Sequence, residues 1–582
     1  MTQTTDTYML LRAFVDELAR CGMRAACTSP GSRSAPLALS LAHDERLRCY
    51  SHVDERCAGF FALGLAKASQ LPVAVTCTSG TAVAELAPAA IEAREGRVPL
   101  LLLSADRPPE LRENGAGQAI DQLKIFGGTV KWFFEVGTHE ATPARLRWMR
   151  TLACRAYWTS LEGRPGPVHL NFPLREPLVS EETLPEDDTA RPGGRPYVLR
   201  PPLATGDGID ELQELVSRAR RGVVVAGRHE RSTPLGAAAS AFAEAVGWPL
   251  LADPLSGARR GAAAIAHYDA LLRHETLGAS LRPDLVIRVG DLPVSKPLRS
   301  WLAGLDGIEQ VVLDPEGAWQ DPDSVVSRSF ALGAASVLAQ LANSPAPKGD
   351  DWLGSWRSAD ELAAQAIEGV LTGELSEPAV AAELGVLLPE QATLFVASSM
   401  PVRDIETFWP ARADPPRVLC NRGANGIDGI VSSAFGAAAT ADGPVVLLIG
   451  DVALAHDIGG LLAAQRLDLK LTIVLLNNDG GGIFDFLAVS HAGLARSPEP
   501  HIPNEDIYTR HVSTPTGLDF AKAADLYGLS HELASDVRGF REELERALAA
   551  ESSGIVEVRT VRSENVALHR RVWDAVSSAL AF

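Results

Sequence analysis

The chain has 582 residues, 46% hydrophobic and 22% charged, with a formal net charge of -19. At ~150 residues per domain that length predicts three or four globular domains, and the acidic balance argues against nucleic acid or an anionic membrane as a partner. No apolar run reaches ~18 residues, so no membrane span is expected.

The first residues, MTQTTDTYMLLRAF, place no basic segment ahead of their apolar ones, so a secretory leader is not expected. Cysteines fall at 21, 27, 49, 57, 77, 154 and 420. An odd number without short paired spacings reads as free thiols of a cytoplasmic protein, not as disulfides or a zinc site.

In chain order, Tyr8 to Cys21 reads as a helix and Ala25 to Thr28 as a short strand ending at Ser29-Pro-Gly-Ser-Arg-Ser34. Arg48 to Val53 is a second strand, followed by a helix from about Asp54 to Ala68. Val73 to Thr76 ends at Thr78-Ser-Gly-Thr81, Pro99 to Ser104 at Ala105-Asp-Arg-Pro-Pro109, and Pro167 to Asn171 is a last strand. This alternation predicts an α/β domain over residues 1–190. Acids, prolines and a Gly pair between Val179 and Pro202 read as a linker. A central α/β domain over 200–345 has strands near Val223–Ala226, Leu250–Ala252, Leu285–Val289 and Val311–Leu313. Its Gly206-Asp207-Gly208 precedes a helix instead of ending a strand, so it reads as a turn and cap. A second linker, Asn343 to Asp351, leads into a third α/β domain over 351–582.

The third domain holds the informative stretch. Val445 to Ile449 is an apolar run that stops at Gly450-Asp451. A helical pattern follows, with apolar Ile458, Leu461, Leu462 and Leu467 at helical spacings. Leu471 to Leu476 is a second apolar run, ending at Asn477-Asn478-Asp479 and a Gly triplet. Strand, helix, strand predicts parallel strands joined by a right-handed crossover. Both polar ends then share the sheet edge where α/β proteins place ligands. The Asp451 carboxylate, the Asn478 amide oxygen and the Gly480 carbonyl suit a hard cation such as Mg2+. A dinucleotide site would need G-x-G-x-x-G at the helix start, which Gly450-Asp-Val-Ala-Leu-Ala455 lacks. The loop His491 to Gly517, with four prolines, reads either as an active-site lid or as an ordinary surface loop.

Gly-Asp followed 27 positions after the Asp by the second Asn of a pair resembles the motif of thiamin diphosphate-dependent decarboxylases and carboligases. Such enzymes need a carboxyl beside the aminopyrimidine ring, where it favours the imino tautomer that removes the thiazolium proton. Glu55, in His52-Val-Asp-Glu-Arg56, is the candidate; Asp54 reads as the helix cap. Further motifs resemble one branch of that family, in menaquinone biosynthesis. They are Ser29-Pro-Gly-Ser-Arg-Ser34, Thr78-Ser-Gly-Thr-Ala82, Ser104-Ala-Asp-Arg-Pro-Pro-Glu110, Asn421-Arg-Gly-Ala-Asn-Gly-Ile-Asp-Gly429 and Asn477-Asn-Asp-Gly-Gly-Gly-Ile-Phe484.

The resemblance implies three domains of mainly parallel sheets flanked by helices. It implies decarboxylation of 2-oxoglutarate and addition of the four-carbon unit to isochorismate, with thiamin diphosphate and Mg2+ or Mn2+. Homodimers or homotetramers with active sites at the subunit interface are implied too. Glu55, Gly450, Asp451, Asn478, Ile483 and Phe484 would hold the cofactor, and Asp451, Asn478 and Gly480 the metal. Ser32, Arg33, Arg107, Gln118, Lys296, Ser399, Arg403 and Arg422 would hold substrate. Guanidinium forks suit the carboxylates of both substrates. Gly117 and Asp479 depart from the family pattern where Asn is usual, and Lys296 precedes Pro297. An enzyme resembling acetohydroxyacid synthases, another 2-oxoacid decarboxylase, or a non-catalytic protein of the same fold remain alternatives.

Overall fold

The computed structural model describes residues 2–179, 183–198, 208–229, 234–343, 351–502 and 505–581. Residues 180–182 and 199–202 of the first linker, Gly206-Asp207, and most of the linker at Asn343 to Asp351 lie outside them. Two compact units emerge. One comprises residues 1–203, 421–441 and 456–470; the other comprises 204–420, 442–455 and 471–582.

The first unit carries a six-stranded sheet: β1 (Ala25–Thr28), β2 (Arg48–Ser51), β3 (Val73–Cys77), β4 (Leu100–Asp106), β5 (Trp132–Glu135) and β6 (Val168–Pro173), in the order β2-β1-β3-β4-β6-β5. All neighbours are parallel. Strands β3 and β4 are buried throughout, as the near-continuous apolar runs of a sheet covered on both faces require. The strand order reverses between β1 and β3, which opens a crevice beyond their carboxyl ends. There the Ser29–Ser34 turn meets the Thr78–Gly80 turn so closely that a Cβ on Gly31 would lie 2.3 Å from the Thr78 Cβ.

Helix Glu55–Ser69 packs in this unit against helix Ile430–Ala438, and glycines allow the approach. A Cβ on Gly64 would sit 1.9 Å from the Ser433 carbonyl oxygen. Asp457 is fully buried here, accepting from the Arg56 guanidinium at 3.0 Å and from the Ser432 N–H at 2.8 Å.

The second unit holds two parallel sheets. The central one has β7 (Gly222–Ala226), β8 (Leu250–Ala252), β9 (Leu285–Val289), β10 (Glu309–Leu313) and β11 (Arg328–Phe330), ordered β11-β10-β9-β7-β8. Gly208 caps the helix Ile209–Arg218 at its start, as the turn reading expected. The last sheet has β12 (Thr393–Val396), β13 (Arg417–Leu419), β14 (Val445–Gly450), β15 (Thr472–Asn477), β16 (Ser530–Ala534) and β17 (Gly554–Arg559), ordered β13-β12-β14-β15-β17-β16. Its order reverses between β12 and β14, so Ser399 and Asp451 both stand at that switch point.

The segment between β14 and β15 is not one helix. It breaks into Asp451–His456, a 3-10 turn Ile458–Leu461 and Leu462–Arg466. No helix among the described residues is long and apolar enough to cross a membrane.

Candidate active site

In the second unit, β14 and β15 are adjacent and parallel, with Gly450 opposite Leu476. That register brings Asp451 and Asn478 to one edge. Asp451, 2% exposed, opens its helix and accepts the Gly480 N–H at 2.8 Å. Burial first, and the nearby Asp479, push its pKa up to about 6. Gly480 has φ +132, and a Cβ there would meet the Arg562 guanidinium at 2.5 Å and the Ser513 carbonyl oxygen at 2.7 Å. Only glycine fits that conformation and that space.

Asn478 donates through Nδ2 to the Glu377 carboxylate at 2.9 Å. Its Oδ1 is buried without a hydrogen-bond partner among the described residues. A buried carboxylate and a buried orphan amide oxygen on one edge are a fit for a hard divalent cation, which would satisfy both. Ile483 and Phe484 lie in the 3-10 turn Gly482–Phe486 and are half-buried. The segment 491–517 is tied to this loop. The Ser513 carbonyl accepts the Gly481 N–H at 2.6 Å, and buried Tyr508 donates its hydroxyl to Asp485.

Ser399, half-buried at the start of helix Met400–Phe408, has φ 75 and ψ -129. Such backbone costs a non-glycine residue about 1–3 kcal/mol and recurs at functional sites. Arg403, one turn on and exposed, donates to the Ser399 carbonyl. Lys296 opens helix Lys296–Ala303 with an exposed side chain, in the connection after β9, where the order of the central sheet reverses. Pro297 is compatible with that place, since the first turn of a helix has no use for its N–H.

In the first unit, Asp54 caps helix Glu55–Ser69 through the N–H groups of Arg56 and Cys57, as its reading as the cap expected. Glu55 is therefore free of capping. It is half-buried, and burial, with Asp54 and Glu85 adding, pushes its carboxyl above the usual range. Arg33, 4% exposed, directs its guanidinium to the Leu174 carbonyl at 2.7 Å and to Glu176 at 2.9 Å. Arg107 donates to the Ser79 hydroxyl and, at 3.5 Å, to Gln118. Burial and the neighbouring Arg33 push the Arg107 guanidinium below its ordinary value. Two guanidiniums that disfavour each other form a ready seat for an anion. Ser32 and Gln118 are exposed beside them, Gln118 at φ 55. Arg422 is half-buried on a loop whose next two N–H groups, of Gly423 and Ala424, donate to Glu92 at 2.8 and 2.7 Å.

Within this unit, then, Arg33, Arg107 and Gln118 come together. In the other, Asp451, Asn478 and Gly480 do, and Ser399 with Arg403. Glu55 and Asp451 belong to different units.

Sequence reasoning missed a set of buried groups behind Asn478. Glu377 is 1% exposed and accepts Asn478 Nδ2 and, at 2.9 Å, the Thr560 hydroxyl on the same oxygen. Burial, with Asp404 adding, pushes it up to about 7. Asp404 pairs with His569 at 2.9 Å, both buried. Each is a single acid or histidine inside a helix, and only Asp404, next to the substrate-binding candidate Arg403, offered any signal.

Three family models match the chain: "Thiamine pyrophosphate enzyme, N-terminal TPP binding domain" over residues 10–125, "Middle domain of thiamine pyrophosphate" over 207–396, and "Thiamine pyrophosphate enzyme, C-terminal TPP binding domain" over 404–558. Fold and site thus define the three-domain class of thiamine pyrophosphate enzymes. Proteins named 2-succinyl-5-enolpyruvyl-6-hydroxy-3-cyclohexene-1-carboxylate synthase are similar throughout. The one from Geobacillus kaustophilus is 44% identical, covering 98% of both chains. That from Chloroflexus aurantiacus is 41% identical over 98% of this chain and 96% of its own, and that from Listeria innocua 41% over 98% and 97%. The chain belongs to the family of these synthases.

Proposed function

We propose that this chain decarboxylates 2-oxoglutarate and adds the remaining four-carbon unit to isochorismate. The products are 2-succinyl-5-enolpyruvyl-6-hydroxy-3-cyclohexene-1-carboxylate and CO2, a step of menaquinone biosynthesis. The observation that carries this reading is identity of 40–44% with synthases of that name along nearly the whole chain. Asp451, holding the Gly480 N–H, and a buried Asn478 oxygen without a partner among the described residues support the cofactor part.

When bound, thiamin diphosphate supplies the electron sink for loss of CO2, and Mg2+ or Mn2+ neutralises its diphosphate. Asp451, Asn478 and Gly480 would hold that cation, and Gly450 leaves room at the strand end. Ile483 and Phe484 would offer the cofactor an apolar wall and keep water out. Glu55 would hold a proton at its carboxyl oxygen against the aminopyrimidine ring, and its raised pKa favours that proton staying. Arg33, Arg107, Arg403, Arg422 and Lys296 would take substrate carboxylates, with Ser32, Gln118 and Ser399 adding hydrogen bonds. Because Arg33 already serves Leu174 and Glu176, it would hold its substrate through what remains of its fork and through its field.

The working form we propose is a cytoplasmic homodimer or homotetramer with active sites between subunits. Inactive Glu55→Gln and Asp451→Ala chains, mixed under conditions of subunit exchange, should then recover partial activity. The reaction is tested by turnover of 2-oxoglutarate with and without isochorismate. Product should form only with both present; an unchanged 2-oxoglutarate pool, or fast release of free succinic semialdehyde whether or not isochorismate is added, would overturn the assignment.

A further inference from the structure

Resting on the cofactor reading above, we infer that Glu377 is a positioning residue that sets which way the Asn478 amide faces, so that Oδ1 and not Nδ2 is presented to the cation. An asparagine amide has two ends of nearly equal shape and opposite hydrogen-bonding character. Nothing in Asn478 itself decides which end turns to the site. The Glu377 Oε1 decides it, because it accepts Nδ2 at 2.9 Å and would repel the amide oxygen.

That acceptor is itself fixed. Glu377 is the first residue of helix Glu377–Leu387, whose preceding Ser376 caps the turn by accepting the Ala379 N–H. The same Oε1 takes the Thr560 hydroxyl at 2.9 Å, and the Thr560 N–H bonds the Asn477 carbonyl at 2.9 Å. The loop bearing Asn478 is therefore tied to Glu377 twice, once directly and once through Thr560. With two donors on Oε1, this oxygen accepts whatever the second oxygen carries. The end left over, Asn478 Oδ1, is buried and has no partner among the described residues.

Groups that orient a metal ligand typically contribute 10–100-fold to metal affinity. Mn2+ binding in the presence of thiamin diphosphate, followed by electron paramagnetic resonance, reads this without turnover. Glu377→Gln keeps an oxygen at the Oε1 position and should bind Mn2+ within about threefold of wild type, whereas Glu377→Leu should bind about 10–100-fold more weakly. In an Asn478→Ala background Glu377→Leu should have no further effect, since the amide it orients is gone. The inference is overturned if Glu377→Leu binds Mn2+ like wild type, if Glu377→Gln falls as far as Leu, or if Leu costs as much in the Ala background.

Should Glu377→Leu not fold, the decision passes to Glu377→Met, which keeps the length of the side chain but offers Asn478 Nδ2 no oxygen. It should bind Mn2+ about 10–100-fold more weakly than wild type and have no further effect in the Asn478→Ala background; wild-type Mn2+ binding by Glu377→Met would sink the inference. A wild-type protein that binds no Mn2+ with thiamin diphosphate would remove the cofactor reading as well, whereas normal wild-type binding with indifferent Glu377 variants removes this inference alone.

Discussion

Glu92→Gln probes how the loop carrying Arg422 is held. Glu92 is 4% exposed, and its two oxygens accept the N–H groups of Gly423 and Ala424, at 2.8 and 2.7 Å. Lys67 Nζ lies 4.0 Å from the carboxylate. Glutamine keeps one acceptor oxygen and turns an NH2 group on the other N–H. A hydrogen bond to a charged group contributes about 1.5–3 kcal/mol, and a buried donor left unsatisfied costs about 1–3 kcal/mol. These overlap, so the loop should lose about 2–4 kcal/mol against local opening. Native-state hydrogen exchange at Gly423 and Ala424, read by mass spectrometry, should then speed up by roughly 30- to 700-fold at about 1.4 kcal/mol per decade. Substrate KM should rise with it as Arg422 loses its place. Exchange within about threefold of wild type would refute the reasoning, because the carboxylate would then not be what holds the loop.

Asp451→Ala should fold yet lose cation-dependent binding of thiamin diphosphate by calorimetry, since the carboxylate of the proposed cation site is gone; unchanged affinity would discard the metal assignment. Glu55→Gln should bind the cofactor within about tenfold of wild type and lose ~10²–10⁴ in kcat, with slowed deuterium exchange at the thiazolium carbon. Wild-type exchange there would hand the role to Asp54. Arg→Ala at 33, 107, 403 or 422 should lower kcat/KM by about 2–4 kcal/mol, and four wild-type-like variants would point to a substrate without a second carboxylate. His52 is 7% exposed, and burial, helped by Arg466, lowers its pKa to about 4. Between an unfolded value near 6.5 and about 4 the unfolded chain takes up a proton that the folded one refuses. Stability present above pH 6.5 should therefore fall by about 3 kcal/mol on acidification through that window. His52→Leu should flatten this part of the denaturation profile; an unaltered slope would count against it.

The strand ends that build the site were legible because β14, β15, β3 and β4 are buried on both faces and read as unbroken apolar runs. Edge strands such as β5 and β16, half-buried or exposed at most positions, carry no such run and were not anticipated. Asp451 and Asn478 were readable as a spaced pair on one crossover. Glu377 and His569 were not, because their meeting with Asn478 and Asp404 spans 101 and 165 residues. A lone Glu in the first turn of a helix looks the same whether it faces water or a buried amide. The stretch from Asp451 to Leu467 reads as one helical segment, yet Asp457 and the Gly459-Gly460 pair break it where Asp457 turns inward to Arg56.

The discontinuous make-up of the first unit has a consequence for its birth on the ribosome. Helix Glu55–Ser69 completes its packing only against residues 429–436, whose glycines and Ser433 receive Phe60, Phe61 and Gly64. At 5–20 residues per second, the interval between synthesis of residue 203 and residue 470 is roughly 13–53 s. Throughout that time the nascent N-terminal segment carries an unfilled apolar helix face and an Arg56 without Asp457. Cells that translate this chain slowly prolong its most aggregation-prone moment, and chaperone demand should track the middle of the message, not its end.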